Sequence, residues 1–241
     1  MIQRATRVIA ALALAAAGLF GLYELVEQPW SQAVGPTLVH GHGHTVALTF
    51  DDGPNPYTTP AVLTALERAH VHATFFVVGR AARAHPNLLK RMQADGDEIE
   101  NHTEAHNHLN TLWSRAAINK EIDGAQSAII AATGTTPHYL RPPFGARNRA
   151  AIEAANAHGL TVVTWTAMHG DTAENDITPE STVNKLLATI RDGAIIVLHD
   201  GDQGRDTQAG RTYEAKATEL LIEKLKAQHY HFATIAELAQ T

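Results

Sequence analysis

TVALTFDDGPNPYTTPAVLTALERA, residues 45–69, decides how the rest of the chain is read. Its first six residues are apolar or β-branched and predict a buried strand. The strand stops at two adjacent carboxylates, Asp51 and Asp52, whose like charges repel unless a neighbour compensates them. Gly53 and Pro54 then turn the chain, so side chains that would alternate across a strand can both address one pocket. Thr59 and Pro60 make a good N-cap and first-turn pair and open a helix to Ala69. The stretch reads as one strand–loop–helix unit with acids at the C-terminal end of the strand.

The unit recurs outward from there. Strands are predicted at "ATFFVV" (73–78), "DEIENH" (97–102), "LTVVTW" (160–165), "AIIVLHD" (194–200) and "HFA" (231–233). Helices are predicted at "PNLLKRMQADG" (86–96), "SRAAINKEIDGAQSAIIAATG" (114–134), "NRAAIEAANAHG" (148–159) and "PESTVNKLLATIRDG" (179–193), with amphipathic pieces at 212–230 and 234–240. Strand–helix alternation repeated about seven times implies an α/β fold with a parallel sheet, closed into a barrel at this length rather than open. In such barrels the working residues collect where strands end. That is where the chain places Asp51 and Asp52, His102, Arg141, Asp171, His199 and Asp200.

Composition narrows the function. The 241 residues are 44% hydrophobic and 18% charged, enough apolar material for a sizeable core. A net charge of -6 without a basic run excludes a nucleic-acid surface. There is no cysteine, which removes disulfides, thiolate metal sites and cysteine nucleophiles together. Arg4 and Arg7 precede the apolar run 8–23, which reads as an export signal or a short membrane anchor. A small-x-small site at Ser31 to Ala33 lies far beyond that run, so an uncleaved anchor helix is the expectation, with the domain outside the cytoplasm. The organisation is then anchor or signal at 1–25, linker at 26–44 and one catalytic domain at 45–241. The linker contains "HGHGH", whose glycine-spaced histidines read as solvated rather than as a metal site.

His102 and His106 stand four apart in "HTEAH". On a helical turn both imidazoles would share a face. With Asp52 as a third ligand, two nitrogens and one oxygen would leave positions open for water and substrate, as a catalytic zinc site requires. The adjacent acids then divide the work: Asp52 binds the cation, and Asp51 takes a proton from water.

Several blocks resemble the polysaccharide deacetylases of carbohydrate esterase family four, the NodB-homology domain. They are "TFDDGP" at 49–54, "HTEAH" at 102–106, "RPPFG" at 141–145, the 165–171 segment and "LHD" at 198–200, in order. The resemblance covers about residues 45–238 and implies a distorted (β/α) barrel of seven strands that removes acetyl groups from N-acetylated sugars. It implies a divalent metal, usually zinc, on Asp52, His102 and His106, with Asp51 as base and Arg141 orienting it. His199 would protonate the departing amine, Asp171 would tune His199, and the Phe144 N–H would help hold the oxyanion. Val197 would line the acetyl pocket. The partner implied is an N-acetylated polysaccharide, peptidoglycan first, then chitin oligomers and exopolysaccharide. No protein partner is inferred.

The chain departs from the family pattern in places. Thr172 follows Asp171 where Trp is usual, so an aromatic wall must come from elsewhere; Val197 stands in place of Leu and Phe144 in place of Tyr. Other classes fit less well. A non-catalytic sugar-binding copy would be expected to have lost a ligand, the base or the acid. A glycoside hydrolase needs carboxylates several ångströms apart across a bond. A serine hydrolase needs a Gly-x-Ser-x-Gly elbow.

Overall fold

The computed structural model describes residues 18, 28–108, 113–168, 178–207 and 213–240. The apolar run at 8–23, apart from Gly18, and Asp171 with Thr172 lie outside the described residues. No described helix is long and apolar enough to cross a membrane.

The first unit forms as its sequence predicts: β1 is Thr45–Asp51 and α1 is Thr59–Ala69. The cap differs. Thr58 occupies the N-cap position, and the Thr59 hydroxyl instead donates to Asp200 Oδ2 at 2.5 Å. The chain continues through β2 (Thr74–Val77), α2 (Gly79–Ala84), α3 (Pro86–Asp95), β3 (Glu98–Asn101), α4 (Arg115–Thr133) and β4 (Tyr139–Leu140). A 3₁₀ turn (Pro143–Gly145) follows, then α5 (Arg149–Ala157), β5 (Thr161–Val162), β6 (Ala167–Met168) and α6 (Pro179–Thr189). The last elements are β7 (Ala194–His199), α7 (Glu214–Ala227), β8 (His231–Phe232) and α8 (Ile235–Leu238). Gly96 and Gly134 end α3 and α4 in the left-handed conformation, as their positions after the last apolar residue predict. The short α2 carries no clear sequence signal; its only long side chains are two arginines among alanines.

The sheet runs β5-β4-β3-β2-β1-β7-β6, every pairing is parallel, and β8 adds to the start of β1. It curls into a distorted barrel, and the distortion has a local cause. The predicted strand at 160–165 shortens to β5, which pairs with β4; β6 lies just beyond it and pairs with β7, and no pairing joins β5 to β6 among the described residues. The chain passes between them through residues 163–166 without a helix, so the curled sheet does not close through a hydrogen-bonded β5–β6 pair as the closed-barrel expectation required.

Alternation along the strands sorts two cores. Val46, Leu48 and Phe50 face the helices with Phe75, Ile196 and Leu198, and the Phe50 and Phe75 rings stack at 5.1 Å. Ala47, Phe76, Ile195 and Val197 face the barrel interior. Burial on both faces explains why the strands read as nearly continuous apolar runs. Residues 28–44 lie along this body: Leu38 bridges Val163, and His40 bridges Ala194. His44 hydrogen-bonds Asp192 and Gln228 O and stacks on Tyr230, so its two ring nitrogens are engaged by protein.

Candidate active site

The interior column that holds Ala47 and Thr49 ends at Asp51, at the C-terminal edge of β1. Its register partner on β7 is His199. Asp52, one residue later, adopts φ of 76°, which leaves the strand alternation and lets its carboxylate turn into the same space. Asp51, Asp52, His102, His106, Phe144, Val197 and His199 line one cavity of about 310 Å³. Six of the sequence-predicted site residues therefore meet Asp51 there.

Arg141 is wholly buried beneath this cavity. Its Nη1 donates to Asp51 Oδ1 and to Thr49 Oγ1, both at 2.7 Å, and its Nη2 donates to Thr164 O at 3.2 Å. The guanidinium lies over the Phe76 ring at 4.1 Å. Burial lowers the Arg141 pKa from its ordinary value, and the Asp51 charge opposes that. A buried ion pair of this kind costs stability when one partner is removed, because the other is left unpaired.

His102 follows β3 directly, and its Nδ1–H donates to Arg141 O at 2.7 Å. That bond turns Nε2 towards Asp52. The expected helical turn at 102–106 is not present. The segment is a loop in which Thr103 and His106 have φ of 66° and 55°. Side chains shape it instead: Asn101 Oδ1 accepts from Thr103 N at 2.8 Å, and Glu121 Oε2 on α4 accepts from Ala105 N at 2.9 Å. The imidazoles still converge, with ring centroids 5.0 Å apart.

Asp52 Oδ1 lies 2.9 Å from His106 Nε2 and 3.5 Å from His102 Nε2. That oxygen is buried yet makes no hydrogen bond of acceptable geometry. Three ligand atoms converge on a point without satisfying one another, which is what a cation site looks like before the cation is counted. It is the one such grouping among the described residues. Burial pushes the Asp52 pKa up, but the imidazoles of His102 and His106 facing it outweigh this and hold the carboxyl well below the usual range. The group is therefore ionised, as a ligand must be.

Other contributors carried weaker sequence signals. Trp165 and Met168 line the cavity, and with Phe144 they supply the aromatic and apolar wall whose usual Trp is replaced by Thr172. Trp165 lies over Gly145, where a Cβ would meet its ring at 2.8 Å while the backbone holds φ of 67°, so only glycine fits. Asp200 is fully buried beside the pair, and burial first, then the Asp52 charge, push it up to about 7 despite the Thr59 hydrogen bond. Thr49 was legible as the inward residue before the acids; nothing in a single sequence marks Glu121.

Comparison with known proteins agrees with this geometry. A family model described as polysaccharide deacetylase matches residues 39–163. A chitooligosaccharide deacetylase of Bradyrhizobium sp. (strain ANU 289) is 34% identical over 200 residues, covering 80% of this chain and 90% of that protein. A peptidoglycan-N-acetylglucosamine deacetylase of Listeria monocytogenes is 36% identical over 194 residues, and the match covers 80% of this chain but only 38% of that longer protein. Among solved structures, a peptidoglycan N-acetylglucosamine deacetylase superimposes with a TM-score of 0.79 at 26% identity, covering 89% of this chain and 98% of that one. A pseudoenzyme of carbohydrate esterase family four from Bacillus anthracis superimposes with a TM-score of 0.74 at 25% identity, covering 84% of this chain and 68% of that one.

Proposed function

The chain belongs to the polysaccharide deacetylase family, and from that premise we propose that it removes N-acetyl groups from N-acetylglucosamine-containing polysaccharide by metal-dependent hydrolysis. The observation that carries the reading is the meeting of Asp51, Asp52, His102, His106 and His199 on one cavity. The donor set of two imidazole nitrogens and a carboxylate oxygen suits Zn²⁺. A divalent ion held there supplies Lewis acidity towards the acetyl carbonyl and acidity to a water molecule.

The protein groups do the rest. Arg141 holds one oxygen of Asp51 and fixes its direction, so the other oxygen is the proton acceptor for attacking water. His199, beside it on β7, delivers a proton to the departing amine; the family resemblance assigns the tuning of that imidazole to Asp171, which lies outside the described residues. The main-chain N–H of Phe144 offers a donor to the developing oxyanion. Val197, Trp165 and Met168 line the acetyl pocket.

Peptidoglycan is the first polymer proposed. The names of the Listeria relative and of the superimposed deacetylase support it, as does the reading of residues 8–23 as an export signal or anchor. Chitin oligomers come second, on the name of the Bradyrhizobium relative. Acetate release from peptidoglycan, chitin oligomers and an N-acetylated exopolysaccharide tests this. Release from peptidoglycan is expected; no acetate from any of the three sinks it.

The pseudoenzyme of the same family is the reason to keep a non-catalytic, sugar-binding reading in view. Against it, no ligand, base or acid is missing from the described site.

A further inference from the structure

Arg147 has no part in the reaction, yet it is a wholly buried arginine two residues from the turn that carries Phe144. Its Nη1 donates to Gly145 O at 2.9 Å. Its Nη2 donates to three carbonyls of the N-terminal segment: Gln28 O at 3.1 Å, Pro29 O at 3.3 Å and Ser31 O at 2.6 Å. Burying a guanidinium is costly unless its donors are used. Here the planar fork is spent on joining residues 28–31 to the turn at Pro143–Gly145.

The turn needs holding. Phe144 sits at φ of 60°, a conformation an aromatic residue rarely takes. Such strain persists only where the surroundings over-determine it. Arg147 holds the Gly145 carbonyl from one side and Trp165 covers Gly145 from the other. The same N-terminal segment also touches the base. Thr164 Oγ1 donates to Pro29 O at 2.7 Å, while Thr164 O accepts from Arg141, the residue that holds Asp51.

We propose that residues 28–31 form a strap that positions the oxyanion turn and the base, with Arg147 and Thr164 as its positioning residues. The proposal rests on the deacetylase reading above. It makes the segment that joins residues 1–25 to the domain part of the working site: hydrolysis requires the strap docked, and cleavage after Ala33 would remove it.

Full-length variants test this. Arg147→Lys keeps the charge but cannot reach four carbonyls. Because a displacement of about 1 Å can cost about 100-fold, kcat should fall about 10- to 100-fold. KM and zinc affinity should stay within about twofold, since neither the cavity wall nor a metal ligand is altered. The ¹⁵N-resolved amide signal of Phe144 should shift. Thr164→Val removes only the bond to Pro29 O and should lower kcat about tenfold or less, whereas Thr164→Ser should restore it.

If Arg147→Lys fails to fold, the Thr164 pair carries the test alone. Wild-type kcat in Arg147→Lys and Thr164→Val overturns the proposal, as does a kcat loss matched by equal loss of zinc. If wild-type protein releases no acetate, the deacetylase reading fails separately. The Phe144 signal then decides the strap, and an unshifted amide in Arg147→Lys overturns it.

Discussion

Asp51 and His199 are register partners on adjacent parallel strands, β1 and β7. Their side chains therefore leave the same face of the sheet at the same height, at the rim of one cavity. In the proposed reaction a base and an acid placed so serve one tetrahedral centre, taking a proton from water and returning one to the amine. Register does the positioning, and Arg141 from β4's end holds Asp51.

Removing Arg141 should therefore damage both fold and function. Arg141→Ala leaves Asp51 charged and buried without its partner, a change that costs about 3–5 kcal/mol in comparable buried pairs. Denaturant unfolding should show that loss. Zinc content should be retained, because the His102 contact is to the Arg141 main chain.

The metal should also stabilise the fold. A ligand bound only by the native state adds about 2.7 kcal/mol at 100 times its Kd. Chelated protein should melt below zinc-loaded protein, and the difference should vanish in His102→Ala and His106→Ala. Equal melting temperatures with and without chelator in the wild type would contradict the site.

A second carboxyl pair gives a pH signature. Glu100 Oε2 accepts from His138 N and Tyr139 N at 2.8 and 2.7 Å; burial, then Glu98, push its pKa up to about 9. A carboxyl whose folded pKa is raised stabilises fully below its unfolded value, and that contribution is lost as pH rises through the folded value. Stability should thus decline between about pH 4.5 and about pH 9. Glu100→Gln keeps the acceptor and cannot ionise, so its melting temperature at pH 9 should exceed that of wild type by about 2–4 °C or more. A lower melting temperature for the variant at that pH would count against the buried-proton account.

The N-terminal reading predicts that full-length protein fractionates with membranes from the expressing cells. Recovery of a soluble form beginning near Val34 would show cleavage instead, and by the strap argument that form should turn over poorly.

Most of the fold was legible because the strands are buried on both faces and the helices are punctuated by Pro60, Gly96 and Gly134. What single-chain pattern could not show depends on distant partners. The 102–106 loop is shaped by Glu121 on α4, not by local helical preference. The early end of the strand predicted at 160–165, and the separate β6 beyond it, follow from which neighbour each segment pairs with. The docking of residues 28–31 depends on Arg147, more than a hundred positions away. Asp52 and His102 were legible because each directly follows a strand, and His106 by its spacing from His102, although the expected local geometry of the histidine pair was wrong.

The central claim is that two neighbouring aspartates hold different jobs, and paired measurements of zinc content and acetate release test it most directly. Asp51→Asn should keep zinc and lose turnover by about 10²- to 10⁴-fold, the usual contribution of a general base. Asp52→Asn should bind zinc weakly and recover part of its activity in excess metal. Loss of zinc in Asp51→Asn with retention in Asp52→Asn would reverse the assignment, and full activity in both would contradict the account.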